Sequence, residues 1–155
     1  MAVEHHFRAH TVWTGASAGA TAGYEAYSRE YEVRMEGKPT LTGSAATPFR
    51  GDGSLPNPED LLLAAVSACH LLSYLALCAR AGIQVVAYED EATALMTFRD
   101  GKMRIVEATL RPCVTLAPGS DVAKAEALHA RANAECFIAS SVNFPVHHQV
   151  TTVLA

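Results

Sequence analysis

Between Tyr27 and Glu36 the chain alternates strictly. Tyr27, Arg29, Tyr31, Val33 and Met35 fall on one face, and Ser28, Glu30, Glu32, Arg34 and Glu36 on the other. A period of two predicts a strand with one wet and one covered face, and Arg29 is the odd member of the covered side. Residues 3–14 and 24–36 thus read as two strands joined by a turn rich in Gly, Ala, Ser and Thr. A short strand is expected near Pro39–Gly43, followed by a Gly-, Pro- and Ser-rich loop to Pro56. The pattern then changes, and no Asp, Glu, Lys or Arg occurs from Leu61 to Ala79. Asn57 is a good N-cap, Pro58 sits where a missing N–H costs nothing, and Glu59 and Asp60 put negative charge in the first turn. This helix should run to about Ala81, where Gly82 supplies a left-handed stop. Residues 84–98 and 102–116 read as a long hairpin around Asp100-Gly101, with Val106, Ala108, Leu110, Pro112, Val114 and Leu116 on one face. Pro112 suggests an edge or a bulge. After Pro118-Gly119, Ser120 or Asp121 can cap a second helix to about Glu135. Its apolar stripe is Val122, Ala125, Leu128 and Ala132, and Cys136 lies at its C-terminal end. A last strand is expected over Val146–Leu154. This order predicts a single α+β domain, residues 1–155, with a mostly antiparallel sheet.

The uncharged stretch reaches the length of a membrane span. Ser67, His70, Ser73 and many alanines favour instead a helix buried on most sides by protein. Such a helix is roughly 36 Å long. A chain of 155 residues has little left to wrap it, so a second subunit is expected to share the cover. Composition narrows the rest. Half of the residues are hydrophobic and the net charge is −4, which argues against a basic nucleic-acid or membrane-binding face. The first residues lack the pattern of a secretory signal, and four cysteines without regular spacing do not make a disulfide scaffold. A cytoplasmic location is expected, where a disulfide that forms is catalytic or redox-sensing.

Cys69, Cys78, Cys113 and Cys136 are the nucleophile candidates. A free cysteine is most often a small core hydrophobe. Cys78 is about half a helical turn out of phase with Cys69, and Cys113 lies in a strand without an obvious partner; both read as structural. Cys136 ends a helix, where accessibility is commoner. Cys69 lies roughly 18 Å along the helix from Asn57, beyond the reach of the helix dipole. A thiolate there needs a cation brought from elsewhere. Arg50 is the natural donor and Arg29 its competitor, while Glu59 is accounted for by first-turn helix stabilisation alone. His70 points about 100° away from Cys69, and His147 and His148 face opposite sides of a strand, so at most one of these two joins a site. No close ligand pair supports a metal, and no Gly-rich phosphate loop precedes a helix.

The run Asn57-Pro58-Glu59-Asp60-Leu61-Leu62, then Ala64-Ala65 and Ser67-Ala68-Cys69, resembles the central-helix motif of the OsmC/Ohr family. These are the osmotically inducible protein C and organic hydroperoxide resistance proteins. Glu59 precedes Cys69 by ten residues, Cys136 follows it by 67, and Arg50 lies seven before Asn57, close to the spacing of the OsmC branch. The departures are His70, where the family often has Phe or Tyr, and Phe137, where a proline is usual. The resemblance implies an OsmC-like fold: a mostly antiparallel sheet around a long central buried helix, in an intertwined homodimer. It implies a cytoplasmic thiol peroxidase with Cys69 as peroxidatic thiolate and Cys136 as resolving thiol in a disulfide cycle. Arg50 would polarise the peroxide and Glu59 would hold the arginine; no cofactor or metal is implied. Arg29, Leu62, Phe137 and Phe144 are expected to contact an organic hydroperoxide, with Leu61 and Leu72 extending the apolar wall. A dithiol, a lipoyl protein or a thioredoxin-like one, would be the reductant. In a straight helix Glu59 lies about 15 Å from Cys69, too far for both to share one arginine within a chain. Either the helix breaks or the other subunit supplies Glu59 and Arg50. The alternatives are a redox-sensing or small-molecule-binding stress protein, and a structural dimer without redox chemistry.

Overall fold

The computed structural model describes residues 3–155. The chain falls into two compact units, Met1–Leu61 and Leu62–Ala155. The first holds an antiparallel sheet in the order β1 (His10–Trp13), β2 (Tyr31–Arg34), β3 (Leu41–Gly43). The first two strands are much shorter than the alternation predicts. After Trp13 the chain turns into a 3-10 helix, Thr14–Ala18, and Arg29 binds the 24–27 segment back on itself. Its guanidinium lies 3.8 Å from the Tyr27 ring and 5.0 Å from that of Tyr24, and donates to both carbonyls. A cation stacked on aromatics and bonded to main chain removes those residues from the ladder.

The helix predicted from Asn57 is α1 (Pro58–Arg80). Asn57 Oδ1 accepts from the Asp60 N–H at 2.9 Å, and Asp60 Oδ2 from that of Asn57 at 3.3 Å, a reciprocal cap. At the other end Gly82 has φ 74°, and the Ile83 N–H reaches back to the Cys78 carbonyl at 2.9 Å. By length and composition α1 could cross a membrane. One face is buried, through Val66, His70, Tyr74, Leu77 and Cys78. The opposite face, with Ala64, Ala65, Ala68, Leu72, Ala76 and Ala79, is exposed. Burial on most sides is therefore not achieved within one chain.

The second unit contains the long hairpin, broken at mid-length. β4 (Val85–Asp90) pairs with β7 (Pro112–Leu116), and β5 (Thr93–Arg99) with β6 (Lys102–Leu110). Asp100 and Gly101 both have positive φ, 52° and 79°, as the predicted turn demands. The break is held by Arg111, whose N–H meets Asp90 and whose guanidinium reaches the Glu91 carbonyl and Thr93 Oγ1. Pro112 is thus the first residue of a central strand, not an edge, which equally spares its missing N–H. The expected last strand also breaks, into β8 (Val146–His148) and β9 (Thr151–Leu154), which run parallel to β6 and β7. α2 (Val122–Glu135) starts on the Asp121 carboxylate, which accepts from the Lys124 N–H at 2.9 Å. Tyr74, Leu77, Cys78, Ile83, Val114, Leu116, Ala125 and Ala132 form the buried core of this unit.

Candidate active site

Cys69 lies about two turns beyond the start of the second unit, half-buried on α1. Cys136 caps the C-terminus of α2 and is 0% exposed. The accessibility expected of a helix end is absent, because the chain turns at once into a 3-10 segment, Ala139–Ser141, that closes over the sulfur. The Ala139 N–H donates to Cys136 Sγ at 3.3 Å. Cys69 is a near neighbour. Burial first, and hydrogen bonding with Cys69 second, push the Cys136 thiol up to about 11, against the pull of the Ala139 and Ile138 amides. All four cysteines are free. Cys78 sits in the core against Tyr74, and burial raises its thiol as well. Cys113 lies on the half-buried face of β7, opposite the buried Pro112 and Val114.

Cys69 opens onto a groove of about 760 Å³ lined by Ala65, Ala68, Leu72, Ala76, Phe137 and Ser140, among others. Leu72 is 67% and Phe137 83% exposed, so these two offer bare hydrocarbon to a ligand, while Arg80 and Glu135 add charge to the lining. Leu61, Leu62 and Phe144, expected in this wall, are not among its lining residues. The groove runs from Ala65 toward Arg80, leaving Leu62 beyond its N-terminal end, and the chain has left it after Ser140, before Phe144.

The remaining predicted residues belong to the first unit. Arg50 follows a 3-10 turn, Thr47–Phe49, in the left-handed conformation (φ 65°). Its guanidinium meets Glu25 Oε1 at 2.9 Å, so the carboxylate paired with it here is Glu25 and not Glu59. The loop shape is forced next door: a Cβ on Gly51 would lie 1.6 Å from the Ala45 carbonyl oxygen. Ser44, buried, accepts the Asp52 N–H at 3.0 Å and closes the same loop. Glu59 is half-buried in the first turn of α1, where its charge, after burial, helps raise the Tyr31 phenol. Arg29 is committed to Tyr24 and Tyr27 as described.

Sequence reasoning missed a buried histidine pair. His70 Nε2 and His129 Nδ1 are 3.0 Å apart, and the half-buried His148 stacks on both. Burial, then His148, lower His70 to about 4, although Asp90 pulls the other way; burial, His70 and His148 lower His129 to about 3. His147 is exposed, as expected of alternate strand positions. The available signal was the place of His129 on the stripe of Ala125 and Ala132. Among the described residues no cluster of His, Cys, Asp and Glu could hold a metal ion.

Comparison with known proteins agrees with this architecture. The curated relative YmaD, an uncharacterised protein of Bacillus subtilis, is 27% identical over 103 residues, 64% of this chain and 69% of its own length. An OsmC-like protein of unknown function from Vibrio cholerae is 26% identical with a TM-score of 0.86, over 95% of this chain and 99% of that one. An organic hydroperoxide resistance protein from Elizabethkingia anophelis shares the fold at 18% identity, TM-score 0.71, over the whole of both chains. The family model of OsmC-like proteins matches residues 51–151. The half-buried long helix, the antiparallel hairpins and the Asn-Pro-Glu entry into α1 fit that match, and the chain belongs to the OsmC-like protein family.

Proposed function

We propose that this protein is a thiol peroxidase that reduces organic hydroperoxides. The observation that carries the reading is the thiol pair itself: Cys69 on an open apolar groove, with Cys136 buried beside it. The similarity to an organic hydroperoxide resistance protein points the same way. The Cys69 thiolate attacks one peroxide oxygen; an S–O bond forms as the O–O bond breaks, and the alkoxide leaves as alcohol after taking a proton. Cys136 then displaces the hydroxyl of the Cys69 sulfenic acid, giving a disulfide and water, and an external dithiol returns both sulfurs to thiols. Arg50 stabilises the thiolate and the departing alkoxide. α1 is continuous from Pro58 to Arg80, so a broken helix does not bring Glu59 to Cys69. We assign Arg50 and Glu59 to the site of a partner subunit in a homodimer, the same subunit that covers the exposed face of α1. The reductant is a lipoyl or thioredoxin-like dithiol, and the setting cytoplasmic.

Steady-state turnover of cumene hydroperoxide and hydrogen peroxide, with a dithiol reductant, tests the reading. The apolar groove predicts a clear preference for the organic peroxide, and comparable turnover of both refutes that preference. Cys69→Ser abolishes turnover. Cys136→Ser accumulates sulfenic acid or its over-oxidised forms, seen by intact mass. Full activity in both variants removes the assignment. A slow redox sensor is the second reading, favoured by the high thiol pKa and burial of Cys136. Stopped-flow oxidation of Cys69 separates the two, since a sensor reacts orders of magnitude more slowly.

A further inference from the structure

Of the four histidines in the unit that carries both thiols, three stack together, and the peroxide chemistry uses none of them. His70 directly follows Cys69, and its ring is nearly parallel to that of His129, 13° apart with centroids at 5.3 Å. His148 stacks 6.0 Å from the first and 6.3 Å from the second. Tyr74, one turn on from His70, stacks against His129 at 3.8 Å. His70 and His129 are 1% and 0% exposed.

Their order in the chain gives the stack its meaning. His129 precedes Cys136 on α2, and His148 follows it on β8. Both ends of the segment that carries Cys136 and Phe137 are thus held to one ring, His70, which is the covalent neighbour of Cys69. Asn133 Nδ2, donating to the Val146 carbonyl at 3.4 Å, draws the same two ends together. Taking the thiol peroxidase reading as its basis, we propose that the His70–His129 hydrogen bond, with His148 stacked on it, is a clamp that positions Cys136 against Cys69 and sets the rate of disulfide closure. The three are positioning residues, acting through the elements that bear the sulfurs.

The clamp is open to acid. An N···N contact needs one donor and one lone pair, so full protonation of both rings sets two donors against each other. His70 Nδ1 and His129 Nε2 have no hydrogen-bond partner among the described residues, and a buried imidazolium without an acceptor is costly. The groups facing the stack are His148 from β8, the neutral Tyr74 from α1 and Asp90 from β4. The Asp90 carboxylate is already engaged by Ser67 Oγ and the Arg111 N–H.

The test separates closure from peroxide chemistry. Reduced protein is mixed with cumene hydroperoxide, and intact mass on quenched samples follows the disulfide against the sulfinic acid that a second peroxide makes. His70→Phe keeps an aromatic ring and removes both nitrogens. Expected is unchanged oxidation of Cys69, closure about tenfold slower, the kinetic equivalent of one lost buried hydrogen bond, and a rise in sulfinic acid. A double variant, His70→Phe with His129→Phe, rebuilds an apolar stack should the single change fail to fold. The ratio of wild-type to double-variant closure rates should shrink as pH falls from about 5 to about 3, the range in which the folded His70 and His129 take up protons. A ratio of one at neutral pH, or one that acid leaves unchanged, overturns the proposal. Diamide, which oxidises two thiols to a disulfide without peroxide, distinguishes the failures. If diamide closure tracks the histidines while peroxide leaves Cys69 untouched, the clamp stands and the peroxidase reading falls. If diamide closure ignores the histidines, the clamp alone is wrong.

Discussion

Cys69 and Cys136 are chemically identical, and their surroundings fit them to the different tasks of the proposed reaction. Cys69 borders an open apolar groove, where a hydroperoxide can approach. Cys136 is sealed, held protonated and hydrogen-bonded by the Ala139 amide, which suits the resolving role proposed for it. The histidine pair shows the same control of one residue by its environment, and it has a measurable consequence for folding. Both rings titrate far below the ordinary histidine value of 6.5 when folded, at about 4 and about 3. The unfolded chain therefore binds more protons through that window. The stability associated with the neutral pair is complete above about pH 6.5 and is lost as pH falls toward 4. For His70 alone the difference is on the order of 3 kcal/mol. Urea unfolding from about pH 7.5 to about pH 5 should show the midpoint falling, and His70→Phe/His129→Phe should flatten most of that fall; a wild-type midpoint indifferent to pH contradicts it. Cys69 was legible because its neighbours form a dense motif. His129 was not, since its period matches an alanine stripe and a neutral buried imidazole leaves no mark on a polarity pattern. Glu25, the partner of Arg50, was equally hidden, because the contact joins two loops 25 residues apart.

At the level of elements, ends were easier to read than pairings. The limits of α1 follow from Asn57 and Gly82, and those of α2 from Asp121, because caps and left-handed stops are local chemistry. Asp121→Ala should cost about 1 kcal/mol of stability, the usual value for a lost cap. That loss is read as a lower urea midpoint with an unchanged slope; no shift would mean that tertiary packing alone fixes the start of α2. The hairpin tip at Asp100-Gly101 was equally local. The break at Arg111 was not, because it depends on Asp90 and Thr93 from the facing strand. Nor was the direction of β8 and β9. Each pairs in parallel with a strand from before α2, and no periodicity in residues 146–154 encodes that choice. The first strands were over-extended for a related reason: alternation continues through Tyr27 and Arg29, while the stacked guanidinium has taken those residues out of the ladder.

For the whole molecule the unfinished feature is the outer face of α1. Ala64 and Ala79, with the Ala65, Ala68, Leu72 and Ala76 that also wall the Cys69 groove, form an apolar stripe that one chain leaves in water; a second copy laid on it would gain the hydrophobic energy that holds a dimer and would become the far wall of that groove. The same pairing answers a question of distance, since a continuous helix keeps Glu59 about 15 Å from the Cys69 of its own chain. Mixed dimers decide it. In a Cys69→Ser homodimer both sites lack the nucleophile, and in an Arg50→Ala homodimer both lack the cation. When the two variants are unfolded together and refolded, the mixed species brings Cys69 of one chain to Arg50 of the other if the arginine acts across the interface. One of its two sites is then complete. Peroxidase activity should return to a substantial fraction of the wild-type value, although each parent alone is nearly inactive. If the arginine serves the cysteine of its own chain, every site in the mixture lacks one group or the other, and activity stays at the parental level. Sedimentation of the wild type as a single chain would remove the dimer and with it any role for Arg50 in trans.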